Sequence, residues 1–544
     1  MKGMKTVMKK SLAMVSALTM TCLYGLLAAF VILICLLMDA SVLTAIIWSI
    51  VILIIQFLIS PWLTDLSMKW FYKADFNYEL PAYLESFVKE IAEKYNMKKL
   101  PKVGFINDGA PNAFTYGRTK NDARIIITRG IIDLLDEDEA KGVVGHELGH
   151  VVHYDMLLMT VAQIVPLVFY GIYEISMESA KDSKPTDKED DKGNVGLAAI
   201  GLVAYVLYLI CQLIILWFSR TREYYADEFS AKETRNPNAL ASALVKIGYG
   251  LAVTGKTETE NKHSVASPSA LGIADAKFSK EMAVCCASDE GEDERASIQN
   301  AMKWDMWNLW AKLYEMLSTH PLISKRLLAI SKLSPEFGQE PYITFDLEKP
   351  ESYTDDFVKE CFIDGLPGLG IIAAFIIILI VDNPNLFGFA VVIPLLLGLF
   401  KYRYRHPVKN MAPATVRDLL GEVKVSDITP VPCEVSGEVI GRGNPGCIFN
   451  EDFVIKDSTG IIMLNYSQPL FVLNKFFALF RSQENFGKTV KISGWYRRAP
   501  VPYIDIKTME VDGKVKKCWT YQFGYVWRIV LLAIALFFSI AVLL

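Results

Sequence analysis

Seven apolar stretches divide the chain, and they constrain its architecture more than any other feature. A backbone in hydrocarbon must satisfy its own polar groups, so it crosses as a helix or a closed barrel. The stretches run from about Leu12 to Met38, Val42 to Trp62, Met156 to Met177, Val195 to Phe218, Leu366 to Val381, Leu386 to Phe400 and Trp527 to Leu544. A crossing helix needs about 20 apolar residues. The first four stretches meet that length; the last three are shorter, which leaves crossing, tilt or re-entry open for them. A hydrophobic content of 52% and a mean hydropathy of +0.28 fit the same class. Lys2, Lys5, Lys9 and Lys10 precede the first stretch as the charged end of a signal peptide would. That stretch is too long for a signal peptide and a second follows at once, so an uncleaved hairpin is expected.

The first six stretches form three close pairs, each returning the chain to its starting side. Arg220 and Arg222 after the fourth, and Lys401, Arg403, Arg405 and Lys409 after the sixth, share that side with the N-terminal lysines. The positive-inside rule makes it the cytoplasm, and a cell (inner) membrane location with a cytoplasmic site is expected. The loop 178 to 194 carries four lysines on the other side, outnumbered there by acidic residues.

The expected order is a membrane hairpin at 1–65, a first soluble part at 66–155 and a second hairpin at 156–218. A second soluble part at 219–362, a short hairpin at 363–400, a β-rich unit at 410–515 and a membrane segment at 525–544 follow. The residues 112–117 and 124–128 flank a polar Arg-Thr-Lys-Asn-Asp stretch and read as a β-hairpin. Asp136 and Glu139 form a capping box for the helix that follows. The stretch 255–300, rich in Ser, Ala and Glu, reads as a mobile insertion. The nine cysteines show no CxxC spacing and read as reduced packing residues. A net charge of −4 gives no reason to expect nucleic acid as a partner. The expected partners are the bilayer and polypeptide substrates.

His146-Glu147-Leu148-Gly149-His150 lies on the capped helix. Four-residue spacing puts both imidazoles on one face, about one turn apart, as two ligands of a tetrahedral zinc require. Glu147 is placed to act as general base toward water at the metal. Short patterns match by chance, but three of six histidines fall within eight residues here. Gly145 and Gly149 each cost about 1 kcal/mol in a helix interior and suggest close approach of another backbone. His153 reads as structural or exposed.

A catalytic zinc needs a third protein ligand. After the fourth stretch, Glu223 and Asp227 share a helix face, so Glu223 can bind metal while Asp227 accepts a ligand histidine's free N–H. On their own they read as a solvated helix pairing with Arg220 or Arg222; beside the histidine helix, Glu223 is favoured as ligand. His320, in Ser318-Thr319-His320-Pro321, reads either as part of a structural turn or as a donor to the oxyanion.

Asn112-Ala113-Phe114, His146-Glu147-Leu148-Gly149-His150 with Asp155, Glu223-x-x-Ala226-Asp227 and Ser318-Thr319-His320-Pro321 together resemble the HtpX family of membrane zinc metallopeptidases. The resemblance covers about residues 1–335. It implies a gluzincin-type, mainly α (α+β) peptidase domain with one Zn2+ per chain held by His146, His150 and Glu223. It further implies Glu147 as the residue that activates water, His320 near the active site, and Asn112, Ala113 and Phe114 along the substrate cleft. The implied biology is degradation of damaged membrane proteins.

Beyond residue 360 the chain departs from that pattern. The strands around Cys433–Val439, Phe453–Leu464 and Val490–Tyr496 suit a small C-terminal β-barrel, OB-like in type. In it Trp495, Tyr496, Arg497 and Arg498 read as barrel core with a solvated rim, and the unit's partner is not legible. The fold class is therefore a multi-span α-helical membrane protein with a peptidase domain and this barrel. Two competing functions stand beside the zinc endopeptidase: a CAAX-type peptidase trimming prenylated C-termini, and an inactive scaffold acting through its C-terminal domain.

Overall fold

The structure is a computed structural model that describes residues 61–109, 111–182, 188–249, 291–380, 387–408, 411–443, 450–480, 483–499 and 501–543, with 22, 23, 26, 55, 58 and 59. The expected N-terminal hairpin lies largely outside these residues.

Helix α1 (Ala82–Lys94) precedes strands β1 (Lys102–Ile106), β2 (Ala113–Gly117) and β3 (Ala123–Thr128). The sheet order is β1-β3-β2, with β1 parallel and β2 antiparallel to β3. The hairpin expected from the sequence is present, and it leaves β2 at the sheet edge. Helix α2 (Glu137–Val152) starts at the expected capping box, with Asp136 accepting from Glu139 N and the Glu139 side chain accepting from Asp136 N.

Two long helices follow, α3 (Asp155–Asp182) and α4 (Lys188–Thr234), packed against each other around Phe169, Cys211, Ile215 and Phe218. Helix α4 does not end at the apolar boundary. It runs on to carry Glu223 and Asp227 across α2. Two glycines of α2 make that crossing close: a Cβ on Gly149 would sit 3.1 Å from Ala226 Cα and one on Gly145 3.0 Å from Ser230 Oγ, while one on Gly142 would sit 3.2 Å from Cα of Leu240 in the next helix. The Ser230 hydroxyl donates to Gly142 O at 2.6 Å. The glycines that looked costly from the sequence are therefore the seam between the two metal-site helices.

Helices α5 (Pro237–Leu244), α6 (Gly291–Trp307), α7 (Leu309–Met316) and α8 (Ile323–Ser331) complete this body. The expected insertion 255–300 is corrected at its end, since 291–300 belong to α6. Ile298, Ala301, Met302 and Trp304 are buried there, a helical apolar face rather than a loop.

Helix α9 (Thr354–Ile380) begins a dozen residues before the apolar stretch that suggested it, and α10 (Phe387–Arg405) returns beside it. The last helix, α11 (Thr520–Leu543), packs on α10. Close contacts at small residues draw these helices together, with Gly370 against Pro394, Gly388 against Ser539 and Gly524 against Tyr402. Among the described residues, four helices are long and apolar enough to cross a membrane: Asp155–Ala180, Gly196–Thr234, Thr354–Ile380 and Thr520–Ala541.

Between α10 and α11 lie β4 (Ala412–Pro413), β5 (Val431–Arg442), β6 (Phe453–Lys456), β7 (Ile461–Asn465), β8 (Thr489–Arg498), β9 (Pro502–Val511) and β10 (Lys514–Lys517). Strand β5 pairs with β6, β6 with β7, β7 with β9, β9 with β8 and β8 with β5, which closes a five-stranded barrel. This barrel is not a separate body. Its core residues Val435, Phe453, Tyr496 and Ile504 join Leu240, Trp304, Leu327 and Ile330 of the peptidase helices in one apolar cluster. The solvated rim expected at its arginines is also corrected: Arg497 and Arg498 are 0% and 1% exposed. The peptidase helices and the α10 terminus cover that strand end and supply backbone carbonyls to both guanidinium groups.

Candidate metal centre

Helix α2 presents His146 and His150 toward α4, which returns Glu223 to the same point. The His146 and His150 Nε2 atoms are 3.2 Å apart. Glu223 Oε2 is 3.4 Å from His146 Nε2, and Glu223 Oε1 is 3.5 Å from His150 Nε2. A tetrahedron with metal–ligand bonds of about 2.0–2.1 Å has edges of about 3.3–3.4 Å. The two imidazole nitrogens stand at that spacing, Glu223 offers one oxygen close to each of them, and the donor types suit zinc; taking one ligand atom per residue, all lie within 4.8 Å, the one His/Cys/Asp/Glu cluster of this kind among the described residues. All three side chains are at least 85% buried, so this is no chance meeting of surface groups.

The outer nitrogens are equally specified. His146 Nδ1 lies 2.9 Å from Asp227 Oδ1, and His150 Nδ1 lies 2.7 Å from Asp155 Oδ2. Each carboxylate holds a proton on Nδ1 and so turns the Nε2 lone pair toward the centre. Burial disfavours the His146 imidazolium, yet hydrogen bonds with Asp227 and Glu223 outweigh it and push the metal-free side chain up to about 9. Burial also works against charge on Glu223, but His320 and then His146 hold its carboxyl well below the usual carboxylate range. The site stores negative charge where a cation belongs.

Glu147 is buried and accepts a hydrogen bond from the Thr115 hydroxyl at 2.8 Å. Thr115 is on edge strand β2, so the strand and the metal helix meet at that carboxylate. His320 Nδ1 lies 3.0 Å from Glu223 Oε2, and its side chain is 36% exposed, the most open of the set. Asn112 and Ala113 are buried at the start of β2, Asn112 pairing its backbone N with Thr128 Oγ1. Phe114 is only partly buried. His153 packs edge-on against Phe229 and stays outside the site. His146, His150, Glu223, Asp227 and His320 thus meet at this centre, and Asn112, Ala113 and Phe114 lie at the strand whose Thr115 reaches Glu147.

Three partners were not read from the sequence. Arg326 donates from Nε to Asp227 Oδ2 at 2.9 Å and from Nη2 to Asp227 Oδ1 at 2.6 Å, and its Nη1 is 3.4 Å from Glu223 Oε2. Its place on one helix face with Ile323 and Ile330, three residues before it and four after, is the signal that marks it. Thr115 was visible only as a polar residue within a hairpin strand, and Asp155 as part of a pattern without a role.

A two-histidine, one-glutamate cluster beside a second glutamate, hung on apolar helices, defines a membrane metallopeptidase. Residues 79–334 match the model of Peptidase family M48. A protease HtpX homolog of Methanothermobacter thermautotrophicus is 40% identical over 210 residues, 38% of this chain and 75% of that one. Another, of Aquifex aeolicus, is 29% identical over 285 residues, 52% and 82% of the two chains. Among solved structures, the crystal structure of S. mikatae Ste24p aligns over 43% of this chain and 57% of its own at 18% identity and a TM-score of 0.31, a likeness that carries no argument. The chain belongs to peptidase family M48, as an HtpX-like member whose C-terminal barrel lies beyond the family match.

Proposed function

We propose that the chain is a zinc-dependent endopeptidase acting on membrane or membrane-adjacent polypeptides, misfolded ones foremost, with one Zn2+ held by His146, His150 and Glu223. The observation that carries this reading is the buried clustering of those three side chains, with one ligand atom of each within 4.8 Å of the others, next in sequence to the buried Glu147. Bound zinc supplies Lewis-acid polarisation of the scissile carbonyl and makes water nucleophilic near neutral pH. Glu147 takes a proton from the attacking water and passes it to the departing amine as the C–N bond breaks, which leaves a carboxylate and a free amine. Thr115 fixes the orientation of that carboxylate. His320 donates to the oxyanion of the tetrahedral intermediate. A peptide adds to the open edge of β2 along Asn112, Ala113 and Phe114, its backbone pairing with the strand and its side chains left to pockets.

The soluble elements all join the same ends of the α3–α4 and α9–α10 pairs, and that end carries Arg220, Arg222, Lys401, Arg403 and Arg405. This supports a cytoplasmic site at the cell membrane. The barrel is OB-like in our reading, supported by its third strand lying beside its fifth and by a helix, Phe471–Phe480, between the third and fourth.

The test measures zinc content and cleavage of a destabilised membrane protein by wild type and Glu147→Gln, with a prenylated peptide in parallel. Zinc at one per chain in both proteins, and cleavage by wild type alone, is expected. Equal cleavage by both removes Glu147 from the mechanism, and wild type without zinc removes the site. Preference for the prenylated peptide would favour C-terminal processing instead.

A further inference from the structure

The first turn of α8 carries much of what surrounds the metal ligands. His320 and Pro321 lead into it, and Arg326 on it binds Asp227 and reaches Glu223. Yet the residue at its N-cap is Leu322, which offers no side-chain acceptor to the turn's exposed N–H groups. The missing acceptor comes from another helix. Asp305 of α6, 5% exposed, accepts from Ser324 N through Oδ2 at 3.3 Å, which puts a carboxylate at the positive end of α8.

Asp305 is in turn held from the barrel. Arg498, the last residue of β8, donates from Nη2 to Asp305 Oδ1 at 3.0 Å and to Ala301 O at 3.1 Å, and from Nη1 to Leu420 O at 3.2 Å. Its guanidinium lies 4.7 Å over the Trp304 ring. A planar fork can bind two helices at once, here α6 and the helix Val416–Leu420, which a lysine cannot. The buried polar path thus runs from Arg498 to Asp305, to the first turn of α8, to Arg326, and on to Asp227 and His146.

We infer that Arg498 and Asp305 are positioning residues of the metal centre, and that the C-terminal barrel serves as the clamp fixing the α8 turn against the ligands. The inference rests on the zinc-site reading above. The barrel's partner is then the peptidase body of its own chain.

The experiment uses the full chain in detergent, first showing that wild type binds zinc and cleaves, which tests the site reading separately. The double variant Arg498→Met with Asp305→Leu replaces a buried ion pair by apolar side chains, a change that often leaves stability intact. Zinc loss to a chelator, well below the unfolding temperature, should quicken about tenfold, and kcat should fall about tenfold with KM unchanged. Trp495→Phe is the control, because it removes a different barrel contact, Trp495 Nε1 to Pro407 O at 3.2 Å. It should lose zinc at the wild-type rate. Zinc loss at the wild-type rate in the double variant, or equal quickening in the control, overturns the proposal. If the double variant does not fold, Arg498→Lys decides: about threefold faster zinc loss is expected, and a wild-type rate overturns it.

Discussion

Asp227 Oδ1 lies 2.9 Å from His146 Nδ1 while the same carboxylate takes two hydrogen bonds from Arg326. The ligand histidine is thereby tied to an arginine on a helix 180 residues further along the chain. Outer partners of this kind are worth about 10–100-fold in metal affinity. Asp227→Asn should weaken zinc binding by that factor while one zinc still binds at saturation, whereas Glu223→Ala should bind none. Competition titration with a zinc indicator separates the two, and undiminished affinity in Asp227→Asn would remove its assigned role.

Thr115 donates to Glu147 from the strand expected to receive substrate. Thr115→Val keeps the shape and deletes the donor. A hydrogen bond to a charged group is worth about 1.5–3 kcal/mol, so kcat should drop roughly tenfold or more at unchanged zinc content. Thr115→Ser should restore it. Identical turnover in all three proteins would show that the contact has no part in the reaction.

The glycine seam makes a stability prediction. At Gly149 a side chain meets the Ala226 Cα and the Phe229 side chain at 3.1–3.3 Å, and helix backbone cannot step aside. Gly149→Val should cost about 1–3 kcal/mol through overpacking and should also loosen zinc, because Ala226 sits between Glu223 and Asp227. Thermal unfolding and zinc retention measured together check it; an unchanged melting temperature contradicts it.

His406 sits among Tyr402, Trp495 and Tyr521 where the barrel meets α10 and α11. Burial, and then Arg497, lower its imidazole to about 4, against about 6.5 in an unfolded chain. The folded value lies below the unfolded one, so the neutral ring's contribution is complete above about pH 6.5 and is lost as pH falls toward 4. The melting temperature should decline across that window, and less steeply in His406→Phe. Parallel declines would exclude the histidine.

Much of the site was legible because helical spacing is a local rule. His146, His150 and the Asp136 capping box follow from positions a few residues apart, and the β2–β3 hairpin follows from its polar turn. Glu223 and Asp227 needed one more step, the return of the chain through a hairpin. Arg326 and Arg498 were hidden for a different reason. Their burial depends on elements more than 90 residues away, and a charged residue at a strand end reads as exposed until its cover is known. The barrel's shared core was hidden likewise, since alternating apolar residues mark a strand's inner face but not what its ends lie against.

The α3–α4 pair has one consequence for how such a chain can change. His150 precedes the pair and Glu223 lies on α4 beyond its apolar part, so the ligands meet only if the chain crosses the bilayer an even number of times between them. Length, composition and loop in that interval are free to drift, but parity is not: one crossing gained or lost would leave two ligands on one side of the membrane and the third on the other.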